Sequence, residues 1–465
     1  MNGKVEPAAF RRLFGVVGLA FVLRAALPLA ALAATWPRPP LIREPDSEGY
    51  ALLAEELVAT GQFTRHGRPE LERTPGYVCF LIPGVLANHI DAVTIVLQCA
   101  VGGLTVLLTY QIALVVFERS NVAIVGAIAC ACEPLTVLYT SKLLSETLFT
   151  CLVAAFLYLF ARYLCRGGWC DLIGSAMLLA AAIYIRPIAL YLPIVLAMLI
   201  VAGRWRQSNT CLRLLGQVAT FAALALGLPA AWIARNEIVA EYGHFSAMGD
   251  VNLYFWGAAG VEAARQGQPL ADVQRAWGYS STDTFLERNP EARGWMAAQR
   301  YGFFRSEARR ILSESPGTTA FVYFDGIRST LIDPGTQAFR EYFRERQTPI
   351  AQLAKGPTSA WTRLRHALAT RPHVVALHLS LQIVVLGYLA LAVIGCLSEG
   401  NWQRFPVVVM LVTLGYLLLL SGGPAGYHRF RLPLVPILSV LAGAGWISLW
   451  NWSSNPKRPP LRDTG

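Results

Sequence analysis

Charge is what this chain has least of: Asp, Glu, Lys and Arg make up 15% of its 465 residues, against roughly a quarter in soluble domains. With 54% hydrophobic residues, that scarcity excludes an ordinary soluble domain and implies a multispan membrane protein. Cysteine is missing altogether from 235–373. The nine present fall in apolar runs (Cys99, Cys130, Cys132, Cys151, Cys396), at their inner ends (Cys165, Cys170, Cys211) or alone outside (Cys79), so no disulfide framework and no paired CxxC metal site is implied. Histidines at ligand spacing are also lacking, His373 and His378 being one residue too far apart for an i, i+4 pair. The net charge is +11, but no aromatic-interleaved basic stripe accompanies it, which excludes nucleic acid as a partner. The arginines flank apolar runs instead, as orientation in a bilayer requires.

Ten apolar runs are candidates to cross about 30 Å of hydrocarbon: Leu13–Trp36, Ala92–Phe117, Val122–Tyr139, Leu143–Leu164, Leu172–Ile185, Ile188–Ala202, Leu212–Ala234, Val374–Leu397, Phe405–Ser421 and Leu432–Trp452. The two around Arg186-Pro187 are short, and the cation and proline between them predict a turn at the membrane surface. With a cytoplasmic amino terminus, Lys4, Arg11, Arg12, Arg119, Arg162, Arg166, Arg204, Arg206, Arg213, Arg404, Lys457, Arg458 and Arg462 all fall inside, which satisfies the positive-inside rule. The expected organisation is an amino-terminal transmembrane module (1–234) with an outer loop at 37–91, an extracytoplasmic segment (235–373), carboxy-terminal spans (374–452) and a cytoplasmic tail (453–465). The fold class is an all-α polytopic membrane protein with about ten transmembrane helices and a small, mainly helical outer cap.

The amino terminus has the basic start, apolar stretch and Ala31-Leu32-Ala33 of a signal peptide, but Arg24 interrupts the apolar core. A cation there costs roughly 2.5–3.5 kcal/mol at a helix centre unless it faces protein or water. Arg24 is therefore expected to point inward, toward Glu133 or a backbone carbonyl.

The first outer loop is the most informative segment. From Asp46 to Phe63, Tyr50, Leu53, Ala54, Leu57 and Val58 recur at helical spacing opposite Glu48, Glu55, Glu56 and Thr60, and Gly61 supplies a stop. This predicts an amphipathic surface helix. Pro75 to Ala87 predicts a second, too short to span and broken by Pro83-Gly84. Between them stands Arg73, 27 residues after Asp46.

Six motifs then follow in order: Asp46-Ser47-Glu48-Gly49-Tyr50 with Ala54, Leu57 and Gly61; Arg73-Thr74-Pro75-Gly76-Tyr77; Leu144-Ser145-Glu146-Thr147-Leu148-Phe149; Ile185-Arg186-Pro187; Arg235-Asn236; and His428-Arg429-Phe430-Arg431-Leu432-Pro433. In combination they resemble the C-type glycosyltransferase superfamily, in the bacterial branch related to protein O-mannosyltransferases and the aminoarabinose transferase of lipid A. The resemblance covers about 13–235 and 428–436. It implies an enzyme of the inner membrane that takes a sugar, hexosyl or pentosyl, from a polyprenyl-phosphate donor and places it on an envelope acceptor at the periplasmic face.

The chemistry of the residues agrees with that implication. An acceptor hydroxyl needs a carboxylate to take its proton, and a departing lipid phosphate is best met by guanidinium groups. Asp46 is the candidate base, and a single displacement with one base inverts the anomeric centre. Where relatives carry adjacent acids this chain has Ser47 between two, which leaves the base open between Asp46 and Glu48. Asp46 could instead cap its helix, and Glu48 could serve as a first-turn acid. Glu146 either orients the acceptor, an arginine or a metal, or is a buried partner for Lys142 or an arginine. Arg73, Arg186, Arg429 and Arg431 are candidates for the donor phosphate. Tyr77, Arg235 and Tyr427 join them as substrate-binding candidates, although Tyr427 also suits an interfacial belt and Arg186 a snorkelling anchor. Some members of the superfamily use a divalent metal, and no cofactor is certain here. The competing class is a polysaccharide flippase or an O-antigen polymerase or ligase; the acidic helix of the first outer loop, and the lack of internal repeats, favour the transferase.

Overall fold

The computed structural model describes residues 7–204, 211–345, 365 and 368–454. Lys4, Arg206, Lys457, Arg458, Arg462 and most of the expected tail lie outside the described residues. The architecture is almost wholly helical, with one two-stranded hairpin pairing Thr64–Arg65 with Arg68–Pro69. Among the described residues, seven helices have the length and apolarity to cross a membrane: Arg11–Thr35, Ile90–Phe117, Glu146–Arg166, Pro187–Arg204, Cys211–Ala240, Pro372–Leu397 and His428–Ser454. The fold class is thus the one expected.

The other three apolar runs take different forms. Val122–Tyr139 is not one rod, because Ser120–Ala131 and Pro134–Thr140 meet at a bend of 54°. The cause is local: Pro134 cannot continue the preceding hydrogen-bond ladder, and Glu133 caps the restarted helix by accepting the Thr136 amide at 2.7 Å. Trp169–Ile185 and Phe405–Ser421 have 17 residues each, about 26 Å of helix. At Arg186 the backbone is extended (φ −142°, ψ 118°) before Pro187 restarts the helix, so the expected turn forms there.

For the site, five elements matter: α1 (Pro7–Thr35), α2 (Pro45–Thr60), α3 (Pro75–Leu86), α4 (Ile90–Phe117) and, after the bent pair α5 (Ser120–Ala131) and α6 (Pro134–Thr140), α7 (Glu146–Arg166). Helix α2 buries Ala51, Leu53 and Ala54, and α3 buries Tyr77, Val78 and Leu81, in the main apolar core. Both are therefore packed against the bundle on one face. The segment that follows starts a few residues later than expected, because the helix Cys211–Ala240 carries Arg235 and Asn236 within its last turns. It then folds as a chain of short helices around its own aromatic core of Tyr254, Phe255, Trp277, Phe285 and Phe304. Trp256, Trp295 and Phe303 pack against this core.

Candidate functional site

Helix α2 starts with Glu44 at its N-cap, and the Glu44 amide donates to Ser47 Oγ at 2.9 Å. Asp46 is therefore not the cap. It sits in the first turn, where helix-end amides favour a negative charge, and its side chain is 44% exposed. Arg73 Nη2 reaches Asp46 Oδ1 at 3.3 Å, and Arg429 Nη1 reaches Asp46 Oδ2 at 3.0 Å. Burial alone raises the Asp46 pKa; Arg429 and then Arg73 outweigh it and hold the carboxyl below its ordinary range.

Arg429 is shared. Its Nε bonds Glu146 Oε1, its Nη1 also donates to Tyr427 Oη at 3.2 Å, and Glu44 Oε2 lies 3.9 Å away. Glu146, with no exposed surface, takes a second cation, Arg186, at 2.7 Å. Phe430 and Phe149 lie 5.3 and 5.8 Å from the Arg186 guanidinium. The set is completed by Lys142, buried and paired with Glu44. Three carboxylates (Glu44, Asp46, Glu146) thus interlock with four cations (Arg73, Lys142, Arg186, Arg429), leaving one positive charge in excess. A lone buried charge would cost several kcal/mol; the lattice avoids that by pairing every member.

Arg73 is aimed by what surrounds it. Its guanidinium lies 4.4 Å from the centre of the Tyr50 ring. Glu70 accepts the Glu72 and Arg73 amides at 2.7 and 2.8 Å and pairs with Arg65 at 2.7 Å. Burial nevertheless holds the Glu70 carboxyl above its ordinary range. Gly49 makes room, since a Cβ there would come within 2.8 Å of Arg73 Nε.

The sequence candidates divide accordingly. Asp46, Arg73, Glu146, Arg186, Arg429 and Tyr427 converge. Tyr77 is buried beneath them, donating to Gln98 Oε1 at 3.0 Å and edge-on to Tyr50. Glu48 is exposed and makes no ion pair among the described residues. Arg235 lies elsewhere, with Nη1 and Nη2 each 3.0 Å from the carbonyls of Glu70 and Phe63. It pins the loop that carries Arg73. Arg431 turns away from Arg429 and donates to the carbonyls of Leu331 and Asp333 at 2.9 and 2.8 Å. In this structure both are fasteners of backbone. Glu44 is not among the sequence candidates, although it could have been, as the acid just before Pro45-Asp46, and Lys142 figures there only as a possible partner for Glu146.

One expectation outside the site also resolves. Arg24 points inward, donating to the carbonyls of Ala20 and Ala131 and to Thr136 Oγ1 at 3.1–3.2 Å. Among the described residues no group of three His, Cys, Asp or Glu side chains is placed to hold a metal. Glu44, Asp46 and Glu146 are already engaged by cations, so that donor set does not fit a divalent ion and no step below passes through one.

The chain is a polytopic helical protein with an acid-bearing loop between its first two membrane-length helices. Residues 77–232 match the profile of the family described as dolichyl-phosphate-mannose-protein mannosyltransferase. Among solved structures, the fold is that of the archaeal oligosaccharyltransferase AglB from Archaeoglobus fulgidus, solved with an inhibitory peptide and a dolichol-phosphate. That match has a TM-score of 0.53 at 11% identity, over 99% of this chain and 53% of that one. The apo form of the Archaeoglobus fulgidus enzyme matches equally, at 13% identity over 99% and 54%. The chain thus spans about half the length of these oligosaccharyltransferases. ArnT from Cupriavidus metallidurans, bound to undecaprenyl phosphate, is matched over 95% of this chain and 81% of that one at 15% identity, but its TM-score of 0.35 is too low to carry an argument. No curated protein matches the chain.

Proposed function

We propose that the protein transfers a sugar, hexosyl or pentosyl, from a polyprenyl-phosphate donor to a glycolipid, polysaccharide or protein of the cell envelope, at the periplasmic face of the inner membrane. One observation carries this reading: a half-exposed carboxylate, Asp46, is held by two guanidinium groups at the outer end of the bundle. The single positive charge in excess matches the single negative charge of a phosphodiester donor.

In the step this geometry supports, the acceptor oxygen attacks the anomeric carbon while Asp46 takes its proton. The bond from that carbon to the phosphate oxygen breaks, and its electron pair leaves on the lipid phosphate, which Arg73, Arg186 and Arg429 stabilise. Attack opposite the departing phosphate inverts the centre. Phosphate accepts two parallel N–H bonds from a guanidinium, as a carboxylate does. A donor that draws Arg73 and Arg429 onto itself removes the charges that depress Asp46. The base then gains strength when the substrate is in place, and Glu146 retains Arg186.

The test is a reconstituted assay in vesicles with polyprenyl-phosphate sugars, following sugar transfer and release of the carrier phosphate. Asp46→Asn is expected to lower turnover by about 10²–10⁴-fold, the range of general-base contributions, with donor binding intact. Retained turnover would remove Asp46 from this role, and Glu48→Gln run beside it decides between the two acids.

A further inference from the structure

Glu146 also lines a cavity together with Arg24, Thr105, Thr136, Tyr139 and Thr150 among others. Three polar atoms of these side chains are buried without a hydrogen-bond partner among the described residues: Arg24 Nε, Thr150 Oγ1 and Glu146 Oε2. Arg24 is 1% exposed, Thr150 4% and Glu146 not at all. They belong to three different places, the middle of α1, the second turn of α7 and the first residue of α7. Each would cost roughly 1–3 kcal/mol if left unmet, more for the charged ones. Unmet polar groups that line one cavity are where buried water is found, whereas cavities lined by apolar groups alone stay dry.

We propose that this cavity is a built water site, with room for about one or two molecules, and that its water ties Arg24 to Glu146. The donor and acceptor needs agree. Water accepts from Arg24 Nε–H, donates to Glu146 Oε2, and can serve Thr150 Oγ1 in either sense. The guanidinium has been given its place deliberately: a Cβ on Gly102 would stand 2.5 Å from Arg24 Nε, and the bend between α5 and α6 turns the carbonyls of Cys130 and Ala131 onto the other two nitrogens. Arg24 is then a positioning residue for the reaction read above. It steadies the free oxygen of Glu146, so that Oε1 stays on Arg186 and Arg429.

This role rests on the glycosyl-transfer reading, whereas the water itself does not, and the experiment separates them. A high-resolution cryo-EM map of the full chain in a nanodisc is expected to show density between Arg24 Nε, Thr150 Oγ1 and Glu146 Oε2. A dry cavity in that map would overturn the proposal whatever the protein catalyses. In the transfer assay, Thr150→Val, which keeps the volume and removes the hydroxyl, is expected to lower kcat about tenfold while the donor KM stays put, tenfold corresponding to about 1.4 kcal/mol. Thr150→Ser is expected to restore it, and Arg24→Met to lower kcat further. Wild-type kcat in both Thr150→Val and Arg24→Met, with the water present, would overturn the positioning role. If Arg24→Met fails to fold, Thr150→Val and its serine rescue decide alone.

Discussion

The loop at 37–91 and the segment that follows Ala240 use charge in opposite ways. In the first, partners are remote in sequence and the arginines sheltered: Asp46 is separated from Arg73 by 27 residues and from Arg429 by 383, and Arg429 is itself held by Glu146, 283 residues before it. In the second, most pairs are three or four residues apart on one exposed helix face, as in Arg310 with Glu307 and Glu314, Arg265 with Glu262, and Arg328 with Asp325. Local pairs of that kind stabilise little. Remote pairs are made only when the fold closes, and breaking one strands a buried charge. The difference shows where a ligand can compete for a side chain and where it has nothing to gain.

Four substitutions or conditions would sharpen or break that contrast, the largest first. Arg429→Met leaves Glu146 with one cation and Asp46 half-neutralised. Loss of about 3–5 kcal/mol of stability is expected, with donor binding abolished; Arg429→Lys should not restore it, because an ammonium cannot span both acids. Denaturation in nanodiscs and donor titration check both. Arg73→Ala should raise the donor KM about tenfold or more, at 1.5–3 kcal/mol per charge-assisted bond; an unchanged KM and kcat would reduce Arg73 to support.

The pH profile follows third. Asp46 has a depressed pKa in the free protein, so its ionised form, and the ion pairs it makes, persist above that value and are lost as pH falls through it. The acid limb of kcat/KM, which reports the free protein, should lie below the ordinary carboxylate value. The limb of kcat, which reports the donor complex, should lie at higher pH because the arginines have moved. Coincident limbs would show that they stay on Asp46 throughout. Smallest of all, Arg310→Ala should change neither melting temperature nor transfer, and a clear loss would mean the outer helix does more than stay soluble.

Much of the fold was legible because apolar run length translates directly into spans. The bend at Glu133-Pro134 was signalled by the proline but hidden by the apolar residues on either side, which read as one run. The site was legible as motifs and not as pairs. No spacing rule brings Arg429 to Asp46 across 383 residues; only the resemblance placed both among the candidates. Nor does sequence say which way a guanidinium turns. Arg429 and Arg431 stand two apart in one short helical segment, His428–Leu434, yet one meets carboxylates and the other carbonyl oxygens. Lys142 was weighed only as a partner for Glu146, and the structure gives it to Glu44 instead.

The interlocked carboxylates and guanidinium groups also bear on inhibition. A plain phosphonate entering this site must displace carboxylates from Arg73 and Arg429 and leave Asp46 without a counter-charge. A compound that carries an amine beside the phosphonate supplies the missing cation as it takes the arginines. Zwitterionic mimics should therefore outcompete purely anionic ones, and their advantage should vanish in Asp46→Asn.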